Sequence, residues 1–291
     1  AVNLMNINIG LRSQGYDTPL VADVHFNPNV ADVAAQYAEK VRINPGNIGG
    51  EKEIQYVADC IKAHNIPVRV GVNSGSVEKT FLEKYGKNEI SLVESALYNV
   101  RFLEKFGVRD IVISVKASSV PLTVKAYRLL SEKTDYPLHL GVTEAGTYQA
   151  GVVKSAIGIG SLLLDGIGDT IRVSLTDNPV KEVEAAKLIL RGCGIDEGYV
   201  EVVSCPTCGR CAWESMSLAE KVTNAVQGYR HKAKIAVMGC VVNGPGEARE
   251  ADIGICGGRG EGLIIRKGEI LRKVKEEVLL AELKKELDAL L

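Results

Sequence analysis

The sequence predicts an α/β protein whose larger part is a barrel of parallel strands, and three observations carry that expectation. Six short runs rich in β-branched residues recur along the first two-thirds of the chain, each followed by a helical stretch; such alternation implies parallel strands joined by helical crossovers. Polar side chains in those runs fall two residues apart, which on a pleated strand puts them on one face. In an open sheet covered on both sides these groups would be costly, whereas in a barrel they can gather at the C-terminal mouth. A length of 291 residues suffices for one large domain and a small one.

The six runs are residues 20–24, 41–44, 68–72, 111–115, 138–142 and 170–174. Between them the apolar spacing is helical, as in Ile54, Val57, Ala58 and Ile61. A second case is Val180, Val183, Ala186, Leu188 and Leu190, which follow the start signal Thr176-Asp177-Asn178-Pro179. A further strand at 200–204 leads into Cys205 and opens a region of different texture. There a strand at 234–238 precedes Cys240, glycines crowd 254–262, and a last helix carries Leu280, Leu283, Leu287 and Leu290 on a face expected to seal a domain. The domain boundary is expected near 194–198.

The paired polar residues are Asp23 with His25, Arg42 with Asn44, Arg69 with Asn73 across Gly71, and Arg172 with Ser174; Lys116 and Glu144 follow two more strands. A single Arg or Lys at a strand end is usually solvated or paired, but coincidence at six strand ends argues otherwise. Arg42, Arg69, Lys116 and Arg172 converging with one carboxylate make a site for a small polyanion, a phosphate or diphosphate. His25 is expected to contact substrate, and His64, His139 and His231 to have structural or surface roles. Gly158-Ile159-Gly160-Ser161 begins like a dinucleotide fingerprint but lacks its third glycine and a preceding strand, so helix packing explains it better.

Net charge is −1 with the basic residues dispersed, which argues against a nucleic-acid surface. With no charged-then-apolar leader and no apolar run of bilayer length, the expectation is a soluble cytoplasmic protein. Seven cysteines without a secretion signal point to reduced thiols and metal in place of a disulfide framework. Ala1 in place of Met, with an opening that reads as mid-helix, leads us to expect the true start upstream.

Two stretches carry the metal chemistry: Cys205-Pro206-Thr207-Cys208-Gly209-Arg210, and Cys240 followed by Asn243-Gly244-Pro245-Gly246-Glu247. A Cys-x-x-Cys pair alone serves zinc, a redox disulfide or an iron-sulfur group equally well. After Cys240 there is neither a second such pair nor a nearby histidine to complete a zinc tetrahedron, and a thioredoxin-type disulfide needs no third cysteine. Three thiolates with an oxygen ligand fit an iron-sulfur group better; zinc, or merely scattered thiols, remain the alternatives. Cys211 competes with Glu247 as fourth ligand, Cys60 and Cys193 read as core or neutral, and Cys256 is left open.

The motifs at 23–26, 42–47, 69–75, 143–146, 172–176, 205–210 and 238–251 resemble those of the 4-hydroxy-3-methylbut-2-enyl diphosphate synthase family, over nearly the whole chain. The resemblance implies a TIM-type barrel over 1–197, its first strands missing from this chain together with one diphosphate-binding arginine. It implies a small α+β 4Fe-4S domain over 198–291, similar to those of sulfite and nitrite reductases. It also implies a homodimer in which each cluster caps the partner's barrel. The implied activity is reductive ring opening and dehydroxylation of 2-C-methyl-D-erythritol 2,4-cyclodiphosphate in non-mevalonate isoprenoid biosynthesis, with two electrons from flavodoxin or ferredoxin.

Carried over by position, Cys205, Cys208 and Cys240 would bind three irons and Glu247 the fourth. Arg42, Arg69, Lys116, Arg172 and Ser174, with His25 and Asn73, would hold the diphosphate, and Glu144 would donate a proton to the departing hydroxyl. A zinc-dependent hydrolase or lyase of a phosphorylated substrate, and an iron-sulfur carrier or sensor with an incomplete barrel, are the competing readings.

Overall fold

The computed structural model describes residues 2–290 apart from 26, 207, 212 and 214. Phe26 and Thr207, which belong to two of the motifs above, therefore lie outside the described residues. The chain divides into two compact units, Ala1–Cys193 and Gly194–Leu291.

In the first unit strand and helix alternate: α1 Val2–Ser13, β1 Val21–Val24, α2 Asn29–Ala35, β2 Lys40–Ile43, α3 Pro45–Ile48, α4 Glu51–His64, β3 Val68–Asn73, α5 Lys79–Tyr85 and α6 Glu89–Lys105. There follow β4 Ile111–Lys116, α7 Val120–Ser131, β5 His139–Leu140, α8 Tyr148–Leu164, β6 Thr170–Ile171 and α9 Pro179–Gly192. The strands run parallel in chain order, β1 to β4 in one ladder and β5 with β6 in another, with a parallel bridge Ile113–Leu138 between the two. Among the described residues β1 and β6 do not pair with each other. β5 and β6 are shorter than their apolar runs suggest, because Arg172 already lies past the last paired residue.

Helix starts follow the sequence signals. Asn88 caps α6 by accepting from the backbone N–H groups of Ile90 and Ser91. Asn178 caps α9 by accepting from Val180, with Pro179 in the first turn. Gly158 lies inside α8, where a side chain would run into Val142, so this glycine lets the helix pack closely on the segment after β5. The core is the apolar face of the strands opposite Arg42 and Arg69, with Val41, Ile43, Val68, Val70, Ile111 and Ile113 under the inner faces of α4, α6 and α7.

Between β4 and β5 the ladder carries an inserted group. Ile113 N–H donates to Pro137 O and, higher up, Thr143 N–H donates to Ala117 O. At the level between, the fully buried Tyr127 hydroxyl accepts from Val115 N–H at 3.2 Å and donates to His139 O at 2.5 Å. A phenol from α7 thus occupies the place of a direct Val115-to-His139 rung.

The second unit is α+β: β7 Val200–Ser204, α10 Ser215–Val226, β8 Ala233–Met238, α11 Gly244–Glu247, β9 Ile253–Gly257, β10 Glu261–Arg266, β11 Glu269–Lys275 and α12 Leu279–Asp288. One mixed sheet, in the order β11-β10-β9-β8-β7, is parallel from β7 to β9 and antiparallel from β9 to β11. The glycine-rich stretch 254–262 is therefore strand, hairpin and strand. On one face α10 and α12 bury Val222, Val226, Leu279, Leu283 and Leu287 against Ile235, Ile253, Ile255 and Ile264. On the other, Ala248 and Ala251, just past α11, pack on Ala236, Met238 and Cys256. The terminal leucine stripe seals its own domain. Leu283→Ala is expected to cost the second unit about 2–5 kcal/mol, the usual range for an apolar truncation that leaves a cavity, measured as a fall in its urea midpoint.

Candidate functional site

Two groups of side chains, one in each unit, hold the residues singled out by the sequence. In the first unit Asp23, Arg42 and Arg69 stand in one register row across β1, β2 and β3. Arg42 is buried; its Nη1 donates to Asp23 Oδ1 at 2.7 Å and lies 3.0 Å from His25 Nε2, while Nη2 donates to Gly71 O at 3.1 Å. His25 Nε2 is also 3.1 Å from Asp23 Oδ1, so the three groups close a triangle. Burial opposes ionisation of Asp23, but the hydrogen bond and charge of Arg42, with lesser help from His25 and Arg69, hold its carboxyl below the usual range.

Arg69 is buried with its Nε unpartnered. Burial first, then the charges of Arg42 and Arg172, push its guanidinium down to about 10. Lys116 ends β4, buried, and for the same reasons its ammonium falls well below the ordinary lysine value. Arg172 is exposed at the edge of the group and donates from Nε to Ser174 Oγ at 3.3 Å. Asn73, at the end of β3, is half-buried; its backbone N–H donates to Ser76 Oγ, which also meets Asn44.

The backbone makes room for these cations. A Cβ at Gly71 would come 2.5 Å from Arg42 Nε, and one at Gly141 would come 3.1 Å from Lys116 Cε and 3.2 Å from Nζ. At Gly141 the nearest atom to that Cβ is the Arg172 carbonyl oxygen, 2.8 Å away, so backbone as well as the lysine closes the position.

Glu144 does not directly follow its strand. It is exposed in the turn after β5 with φ of 52°, a left-handed conformation uncommon for a glutamate. Such a backbone state costs energy and persists where surrounding structure imposes it, a pattern typical of functional loops.

His139, expected to have a structural or surface role, is not at the surface. It is buried, its Nδ1 lies 2.8 Å from Thr170 Oγ1, and its Nε2 has no partner. Burial, then the charges of Lys116, Arg69 and Arg172, push its pKa far below the ordinary histidine value, so the ring is neutral.

In the second unit Cys205, Cys208, Cys240 and Glu247 line one cavity of about 200 Å³ with Arg210, Cys211 and Asn243. Among the described residues no three His, Cys, Asp or Glu side chains close on a single point as they would round one ion. The residues fit an iron-sulfur cluster on the chemistry of the donors. Backbone N–H groups of Arg210 and Cys211, with the Arg210 side chain, favour the Cys208 thiolate. Those of Asn243, Val242 and Gly244 favour the Cys240 thiolate.

Gly239 N–H donates to Cys205 Sγ at 3.1 Å, and a Cβ on Gly239 would press on Cys211 Sγ at 3.1 Å and Cys205 Sγ at 3.3 Å. Glu247 ends α11, exposed at the rim. Cys211 lies against Trp213 O and Ser215 Oγ, each 3.2 Å from its sulfur. Cys256 is buried in β9, where burial pushes its thiol up to about 12 and marks it as core. Trp213 donates from Nε1 to Gly239 O and so braces the loop that carries Cys240.

A parallel α/β barrel that desolvates cations at its strand ends, followed by a mixed-sheet domain with thiols and a carboxylate round one cavity, defines a class: a barrel protein for anionic substrates with a thiolate-rich second domain. The GcpE TIM-barrel domain profile matches residues 3–187 and the GcpE protein C-terminal domain profile matches 201–289, and the chain belongs to this family. The protein called 4-hydroxy-3-methylbut-2-en-1-yl diphosphate synthase (flavodoxin) of Fusobacterium nucleatum is 57% identical over 269 residues, 92% of this chain and 76% of that one. The proteins of the same name from Caldanaerobacter subterraneus and Clostridium perfringens are 57% and 55% identical, over 93% and 91% of this chain and 77% and 76% of theirs. No helix among the described residues is long and apolar enough to cross a membrane.

His139 gives the first unit a pH dependence of defined sign. Unfolded, the imidazole takes a proton near pH 6.5, while the folded site refuses it, so stability is present above that pH and lost as pH falls below it, by about 1.4 kcal/mol per pH unit for one proton. Urea titrations at pH 7.5 and 5.5 should show this loss in the native chain and a flatter dependence in His139→Gln.

Proposed function

We propose that the protein reduces 2-C-methyl-D-erythritol 2,4-cyclodiphosphate to 4-hydroxy-3-methylbut-2-enyl diphosphate, opening the ring and removing a hydroxyl, as a step of non-mevalonate isoprenoid biosynthesis. The observation that carries the reading is the presence, in one chain, of under-compensated buried cations and a cavity lined by four thiols and a carboxylate. The shared name of relatives more than half identical supports it.

Arg42, Arg69, Lys116 and Arg172 bind the diphosphate, whose negative charge offsets their desolvation. Ser174, Asn73 and His25 donate to it from the strand ends and orient the ring. Glu144, exposed on its left-handed turn, protonates the departing hydroxyl so that it leaves as water. Cys205, Cys208 and Cys240 hold three irons of a 4Fe-4S cluster and Glu247 the fourth, a carboxylate being easier to displace than a thiolate. The bound cluster supplies electrons and Lewis acidity. The donor is a flavodoxin, the protein named with the relatives' activity, or a ferredoxin. The working form is a cytoplasmic homodimer in which each copy's cluster domain serves the other copy's barrel.

Anaerobic reconstitution followed by iron, acid-labile sulfide and zinc analysis tests the metal, and turnover of the cyclic diphosphate on the same sample tests the reaction. A brown protein with iron and sulfide is expected; stoichiometric zinc without sulfide refutes the assignment. Glu247→Ala is expected to keep a less stable cluster and to lose turnover by about a hundredfold or more, the scale of losing a Lewis-acid contact; undiminished turnover would contradict its role. Mixing Arg69→Ala with Glu247→Ala chains should restore part of the activity only if the site is shared between copies.

A further inference from the structure

Among the described residues three buried polar side-chain atoms have no hydrogen-bond partner: Arg69 Nε, His139 Nε2 and Ser155 Oγ. Native structures rarely leave such atoms unsatisfied, so each calls for an explanation. Two of the three belong to the barrel's cation group. His139 pairs in register with Thr170 at the start of β5 and β6. It shares a strand face with Gly141, beside which Lys116 lies, its Cε and Nζ 3.1 and 3.2 Å from where a Cβ would stand. The histidine therefore faces the cations and lies below the strand-end residues that the diphosphate reading already uses. Both His139 and Arg69 are more than nine-tenths buried, so water is a poor partner for either atom.

A neutral imidazole carries one proton, and which nitrogen holds it is set by the partner of the other. That partner is Thr170 Oγ1, 2.8 Å from Nδ1, a hydroxyl able to donate or accept. A ligand drawn in by four cations is an acceptor, and a lone pair at Nε2 would repel it. We infer that His139 is an unassigned substrate-binding residue: with the Thr170 hydroxyl donating to Nδ1, its Nε2–H joins Arg69 Nε as a floor donor to the innermost phosphate oxygens. The inference rests on the diphosphate reading of this site and deepens it. A neutral donor there adds a directed hydrogen bond without a further buried positive charge beside three cations. It also ties recognition to the tautomer, so Thr170 acts as a positioning residue.

The test uses the full chain and inorganic diphosphate as probe, followed by calorimetry at pH 7.5. His139→Phe, which keeps a ring but removes the donor, is expected to weaken binding by about tenfold to a hundredfold, the worth of one hydrogen bond to a charged acceptor. His139→Gln, which returns an N–H, should recover part of that loss, and Thr170→Val should lose less than His139→Phe. In native protein labelled with ¹⁵N-histidine, the diphosphate complex should show the His139 ring protonated at Nε2 and not at Nδ1. Full affinity in a folded His139→Phe, or an Nδ1–H tautomer in the complex, overturns the inference, and the spectrum decides it even if the variants fail to fold. Arg69→Ala separates the two levels: loss of binding there with none at His139 sinks only this inference, while no binding by the native chain, or none lost in Arg69→Ala, sinks the diphosphate site with it.

Discussion

Buried positive charge without matching negative charge is the constraint on which the barrel unit turns. Arg42, Arg69 and Lys116 are all withdrawn from water, and the one carboxylate among them, Asp23, is itself half-exposed and already engaged by Arg42. Removing an ion from water costs several kcal/mol unless a partner offsets it, and here the partner inside the fold covers only part of the charge. The rest is carried by the apolar core, which spans the strands and the inner helix faces and can absorb a local deficit. An unliganded barrel of this kind holds unfavourable electrostatic energy that an anion relieves on binding, so affinity comes from ending a conflict as well as from making contacts.

The second unit solves the opposite problem. Thiols must lose protons to bind iron, and backbone amides at tight turns do that work: those of 242–244 round Cys240 and those of 210 and 211 round Cys208. In both units the decisive groups are placed by main chain stripped of side chains, at Gly71 and Gly141 beneath the cations and at Gly239 beneath the sulfurs. Side-chain chemistry and backbone geometry are thus specified together: exchanging either alone leaves a charge or a sulfur without its seat.

The sequence made the six barrel strands legible because β-branched runs and helical spacing alternate cleanly, and it made the cation group legible because polar residues two apart can only share a face. What it did not disclose depends on long-range packing. The strands at Ile253–Gly257, Glu261–Arg266 and Glu269–Lys275 are not among the runs that read as strand, because glycines and charges interrupt their alternation. His139 read as structural because a lone histidine in an apolar run usually is; only the register with Thr170 and the reach of Lys116 across Gly141 give it neighbours. Trp213 had no periodic signal at all, and its brace to Gly239 becomes visible only in three dimensions.

Tyr127 sets a dimension of the barrel wall. Between β4 and β5, where a rung would hold the strands at the pitch of a sheet, a hydroxyl is spliced in, with contacts of 3.2 Å and 2.5 Å in series. The circumference there is let out by about one oxygen atom, and the carbonyl so engaged belongs to His139 itself. The spacing between the segments bearing Lys116 and Gly141 is therefore governed by the length of a phenol rooted in an outer helix. Repacking α7 on the outside would change the spacing of these strands without touching Arg42, Arg69 or Lys116.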